Sequence, residues 1–233
     1  MKEQIYNLQS VANSSASDRA GFIRRTYAHL AVAILAFIAI EYYLVNSPFA
    51  ASLASSMTGG MSWLVVIGLF MGVSYIANKL AVSQTSQQMQ YLGLALFVVA
   101  EAIVFLPLLY IATIYGGDGV IASAGMMTLL LVGGITATVF ITKKDFSFMG
   151  SFLSMGGFVA LGFILCSMIF GFSLGLIFAS VMVVFAGGAV LYSTSNVLHQ
   201  HSTDQHVAAA LSLFASVALL FFYILQVLMS LGG

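Results

Sequence analysis

From Phe148 to Tyr192 the chain runs for 45 residues without a charged side chain. As a single helix that run would measure about 68 Å, over twice the ~30 Å hydrocarbon core of a bilayer. It must therefore fold back. The best break is Gly171-Phe172-Ser173-Leu174-Gly175, which leaves two spans, Phe148 to Phe170 and Leu174 to Tyr192. Five further stretches have the roughly 20 apolar residues that a crossing needs: Thr26 to Val45, Gly59 to Ala77, Gln90 to Ala112, Val120 to Thr142 and Val207 to Ser230. The runs are continuously apolar rather than alternating, and too long for tilted barrel strands of about ten residues. The fold class predicted is an all-α integral membrane protein, a seven-helix bundle over residues 26–231.

Composition agrees. The chain is 61% hydrophobic and 6% charged, where a soluble domain is about 25% charged. Seven basic and seven acidic side chains could not cover a soluble surface of this size, so lipid must be the solvent. That excludes a cytosolic enzyme, a secreted domain and a disordered chain. A net charge of zero gives no reason to expect a nucleic-acid partner. The single cysteine, Cys166, lies in an apolar run and can form no internal disulfide.

Orientation follows from the basic residues. Lys2, Arg19, Arg24 and Arg25 precede span one, Lys79 follows span two, and Lys143 and Lys144 follow span four. With seven spans these regions share one side, and the positive-inside rule makes that side cytoplasmic. The same count puts the Leu198–His206 loop in the cytoplasm and Gly233 outside. Residues 1–25 are polar and lack the apolar core of a signal peptide. They read as a flexible cytoplasmic tail, with helix allowed near span one.

Glu101 is the most unusual residue. It lies about 16 Å into span three, where a charge costs at least about 2.5–3.5 kcal/mol. A carboxyl can avoid that cost by carrying a proton. Pro107, six residues later, frees a backbone carbonyl near Ile103, so a cation or proton site is one reading. The other is a neutral glutamic acid bonding across helices. Glu41 lies in span one, about 6 Å from Glu101 in depth, and the two could line one polar path. Alternatively Glu41 reaches headgroup water beside the interfacial Tyr42 and Tyr43.

His199, His201 and His206 share a loop with Asp204. That pattern could bind a metal or sense pH, but a short polar loop is more simply solvated. The block lacks the nucleophile elbow and oxyanion donor of a serine hydrolase. No span interior holds a lysine for a retinal Schiff base, and receptor-type polar motifs and a cysteine pair are missing from the sequence. No cofactor box is visible. Gly68-xxx-Gly72 and the pairs Gly133-Gly134, Gly156-Gly157 and Gly187-Gly188 read as ordinary helix packing. Ser212 and Ser216 form a polar stripe one turn apart on span seven.

Four pieces carry a resemblance: Phe22-Ile23-Arg24-Arg25-Thr26-Tyr27, Ala77-Asn78-Lys79, Thr142-Lys143-Lys144-Asp145-Phe146-Ser147-Phe148-Met149-Gly150, and Ala189 through His199, with the start of span seven, Ala210 to Ser216, as a fifth. In these the chain resembles the Bax inhibitor-1 (transmembrane Bax inhibitor motif) family, and most of all its bacterial YccA-like branch. The resemblance covers nearly the whole chain after the tail. It implies six helices around a central seventh, and regulators of cell death or stress that leak calcium under pH control through a pair of aspartates. The positions matching that pair are Ser193 and Ser216. Hydroxyls can hydrogen-bond but cannot share a titrating proton, and hard cations want several oxygen ligands. The branch resemblance implies instead a multipass protein of the bacterial inner membrane, not an enzyme, that is a substrate and modulator of the membrane-anchored AAA protease FtsH. The polar tail would then be its grip. The alternative is a pH-sensitive calcium or proton leak channel, with Glu101 and Glu41 as its ion or proton site.

Overall fold

A computed structural model describes residues 11, 14–58, 61–83 and 86–232. Among these the regular elements are eight helices: α1 (Ala16–Val45), α2 (Ala50–Thr58), α3 (Ser62–Ala81), α4 (Gln87–Tyr115), α5 (Val120–Thr142), α6 (Met149–Phe170), α7 (Gly175–His199) and α8 (His206–Gly232). Seven are long and apolar enough to cross a membrane. The exception, α2, has nine residues, about 14 Å, and was not anticipated. The expected fold-back is present. Gly171 ends α6 in the left-handed region at φ +73°, its N–H donating to the Ser167 carbonyl at 2.9 Å, and Gly175 opens α7 at φ +62°. A side chain at either position would be strained, because the Cβ crowds the backbone there.

The tail is shorter than the sequence suggested. α1 begins at Ala16, capped by the Ser15 hydroxyl accepting from the Asp18 N–H at 3.2 Å. Its 30 residues span about 45 Å, so the first turns stand clear of a ~30 Å core. Residues 16–25, expected in the tail, therefore belong to the first helix. Ser15 to Asp18 is a capping-box pattern that marks this start. Residues 1–10, 12 and 13 lie outside the described ones, as do Gly59, Gly60, 84, 85 and Gly233.

The chain divides into two compact units, residues 1–114 with 201–214, and residues 115–200 with 215–233. In the first, α1 buries Phe22, Thr26, Leu30, Ala33, Phe37 and Glu41, spaced by three or four residues so that they form one stripe. α4 buries twelve of its residues and stays helical through Pro107. It meets α3 at Gly93, where a Cβ would lie 2.5 Å from the Ala77 carbonyl oxygen and 2.7 Å from the Ala81 nitrogen. Ala50, Ala54 and Met57 are the buried face of α2, which packs on α3.

In the second unit α7 packs on α5 and α6. The Phe185 ring fills the space at Gly156, and Met149 and Leu153 approach Gly188. A core of Ala160, Ala179, Met182 and Tyr223 gathers Phe178, Phe185, Leu219 and Phe222 around it. α8 is the most buried of the long helices, with 72% of its most apolar stretch enclosed against 6% for α6, in keeping with the enclosed last helix that the resemblance implies. Gly68-xxx-Gly72 overturns its expected role. A Cβ at Gly68, Gly72, Gly133 or Gly134 would meet nothing within 4 Å, so among the described residues no neighbouring helix closes on these glycines.

Candidate functional site

Ser193 and Ser216, which the resemblance sets at the aspartate-pair positions, meet. In the second unit Ser193 of α7 and Ser216 of α8 are both buried, with their hydroxyl oxygens 2.7 Å apart. The contact is a neutral hydrogen bond, in which either hydroxyl can donate. It ties α7 to α8 without a titratable group in the pair.

Two residues along α7, Ser195 is fully buried and its hydroxyl accepts the Phe146 N–H at 2.8 Å. The Ser147 N–H donates to an Asp145 carboxyl oxygen at 2.9 Å. Burial alone would raise the Asp145 carboxyl. The Ser147 backbone and side-chain donors, the charge of His199 and the Ser195 hydroxyl outweigh it and hold the group below its ordinary value. Asp145 and Ser195 thus clamp the α5–α6 connection to the end of α7. Sequence reading used Asp145 only as part of a motif. Ser195→Ala is expected to lower stability by about 1 kcal/mol, the usual net worth of a lost hydrogen bond. Thermal melting in detergent measures it, and an unchanged midpoint would remove the clamp.

The acidic candidates both belong to the first unit. Glu41 is 5% exposed and Glu101 7%. Among the described residues, neither carboxyl oxygen of Glu41 has a hydrogen-bond partner, nor does Oε2 of Glu101. Burial removes the headgroup-water reading of Glu41: it is the last member of the α1 stripe, while Tyr42 and Tyr43 beside it face outward. The stripe's spacing was the available signal. Phe37, one turn before Glu41, lies edge-on to Phe105, one turn after Glu101, with ring centroids 5.1 Å apart.

The histidines do not converge. Among the described residues no group of three or more His, Cys, Asp or Glu could hold a metal. His199 Nδ1 lies 3.0 Å from its own helix's Ser195 carbonyl. The His201 carbonyl accepts from the N–H of Val11, which is fully buried, at 2.9 Å. Burial pushes the His201 imidazole below its ordinary value, and a hydrogen bond with Gln205 opposes this. His206 turns to a residue that the sequence reading passed over, His29 of α1, at a ring-centroid distance of 5.0 Å. His29 also stacks on Tyr91 at 5.4 Å. It is the only one of the four histidines outside the loop region, and it opens span one on that same predicted side, which was the signal for it.

These features define a polytopic helical membrane protein with buried polar pairs. Residues 19–233 match the family model Bax1-I, inhibitor of apoptosis-promoting Bax1, and the chain belongs to the Bax inhibitor-1 family. It is 32% identical to the uncharacterized protein PA2604 of Pseudomonas aeruginosa, covering 100% of this chain and 99% of that protein. It is 29% identical to Protein LIFEGUARD 4 of Arabidopsis thaliana over 90% of this chain and 84% of that one. With the modulator of FtsH protease YccA of Escherichia coli it shares 32% identity over 48% of this chain and 52% of that one.

Proposed function

We propose that this protein is a non-enzymatic substrate and modulator of a membrane-anchored AAA protease of the FtsH type. We place it in a bacterial inner membrane with its N-terminus in the cytoplasm. The name of the Escherichia coli relative supports the partner, and the basic residues support the side. The observation that carries the reading is the anchor at Val11. Its N–H donates to His201, and its carbonyl accepts from Arg19 Nε at 3.1 Å. An ATP-driven protease needs polypeptide outside the fold to pull on. In this reading the polar tail that the sequence predicts is that grip, and the anchored helices behind it resist extraction and occupy the enzyme.

The test is deletion of residues 2–10. Deletion through Arg25 is unsuitable, since it removes Arg19 and the fully buried Phe22. Removing residues 2–10 is expected to lengthen the half-life several-fold in cells with active protease and to leave it unchanged in cells without it. An unaltered half-life, with no copurification of the protease, rejects the reading.

The buried, unpartnered oxygens of Glu41 and Glu101 favour a second reading, a cation leak across the bilayer. It predicts ion flux in liposomes that falls in Glu101→Gln.

A further inference from the structure

Gly93 fixes where α3 and α4 cross. A Cβ there would lie 2.5 Å from the Ala77 carbonyl oxygen, so the two backbones touch near the C-terminal end of α3. About two turns back along α3, side chains make the contact instead, Phe70 against Phe97 at a ring-centroid distance of 5.9 Å. Beside these rings lies a cavity of about 280 Å³, with Leu69 and Val73 of α3 on one wall and Ala100 and Ile103 of α4 on another. α2 supplies a third wall through Leu53 and Met57.

The walls and the size select the occupant. Every side chain that lines the cavity is apolar, whereas a buried water needs two to four polar partners. An empty space is unfavourable too, because its lining loses the contacts that atoms on the other side would make. The cavity opens outward past Leu53, Leu69 and Ile103, which are exposed, on helices long and apolar enough for lipid to surround them. Val66, also in its lining, stands about 6 Å from the α2 end of α3 and Val73 about 17 Å, so the cavity reaches to about the middle of a ~30 Å core. A helix does not fit: one turn of a cylinder 10–12 Å across fills roughly 400–600 Å³. A methylene takes about the room of a water, ~30 Å³, so about nine methylenes of a single chain fill the space. The α2 side offers a headgroup little to hold. Residues 46–61 carry no charge, and the hydroxyls of Ser55, Ser56 and Thr58 donate to carbonyls of α2 itself.

We propose that this cavity is a lipid site, seating one acyl chain of a bilayer phospholipid between α2, α3 and α4 and holding it by the chain rather than by the headgroup. The chain enters past Leu53, Leu69 and Ile103 and lies against Phe70. There it supplies the packing that α3 and α4 do not give each other on the α2 side of their crossing. The site stands apart from the protease and leak readings, since neither Val11 nor Glu101 lines it.

The test reconstitutes the full chain in liposomes containing a phospholipid with a diazirine midway along one acyl chain. After irradiation, peptide mass spectrometry locates the labelled residues. Met57, Val73 and Val104 should be labelled several-fold more strongly than Phe158 and Ile177, which are 75% and 81% exposed on α6 and α7. Ala100→Phe and, separately, Val104→Phe fill the cavity and should bring labelling of Met57 and Val73 down to that control level. Wild-type labelling no stronger than at Phe158 and Ile177, whether the cavity is empty or covered by a second protein, overturns the site and needs no variant to fold. Undiminished labelling in both variants overturns it as well. Probes with phosphatidylethanolamine and phosphatidylglycerol headgroups should label equally, and a clear preference for one overturns recognition by the chain.

Discussion

Gly93→Val is expected to abolish accumulation of folded protein, and Gly93→Ala to lower its melting temperature strongly. A Cβ at Gly93 would sit 2.5 Å and 2.7 Å from backbone atoms of α3, with Leu80 Cβ at 3.0 Å. These atoms are backbone at the C-terminal end of α3, and helix backbone cannot yield as the tip of a side chain can. α3 and α4 would have to separate where they cross, losing the close approach that holds membrane helices together where no hydrophobic force acts between them. Overpacking of this kind commonly costs about 1–3 kcal/mol for a single added group, and valine adds two methyls beyond alanine. The matched controls are Gly68→Ala and Gly72→Ala on α3, where a Cβ meets nothing within 4 Å. They should melt with the wild-type protein in detergent. A Gly93→Ala variant as stable as those controls would show that the helices do not cross at that glycine.

The second large effect is all-or-none. A reporter fused after Gly233 should be active if it works only outside the cytoplasm and silent if it works only inside. Seven helices are long and apolar enough to cross, and α2 is too short to be an eighth. All seven basic residues fall before or after spans that share one side under that count. A cytoplasmic signal at the C-terminus would require an even number of crossings. It would move the α7–α8 connection and its histidines to the other face and detach Val11 from the protease reading.

Much of the fold was legible before any coordinates. The break at Gly171 to Gly175 could be read because lipid makes every segment satisfy its own backbone hydrogen bonds, so the number of crossings is a local property of length and hydropathy. The start of α1 was also legible in Ser15 to Asp18, a capping signal within four residues, although the tail was expected to run to Arg25. The candidate site was less so. Glu41 shows why: the choice between a buried carboxyl and one in headgroup water depends on which face of α1 meets protein, and Tyr42 and Tyr43 next to it argued for the wrong face.

The chain alone therefore determined seven spans, their fold-back and the one-sided distribution of positive charge, since each follows from how a short segment meets oil or water. Tertiary structure alone decided that Ser193 and Ser216 touch, that Glu41 and Glu101 are both buried, and that Gly93 rather than Gly68 or Gly72 is where two helices cross. Most of these helices are apolar nearly all round, so no polar face marks the side that a neighbour covers. Which residues meet across them is set by the packing of distant segments, and that packing leaves little trace in local order.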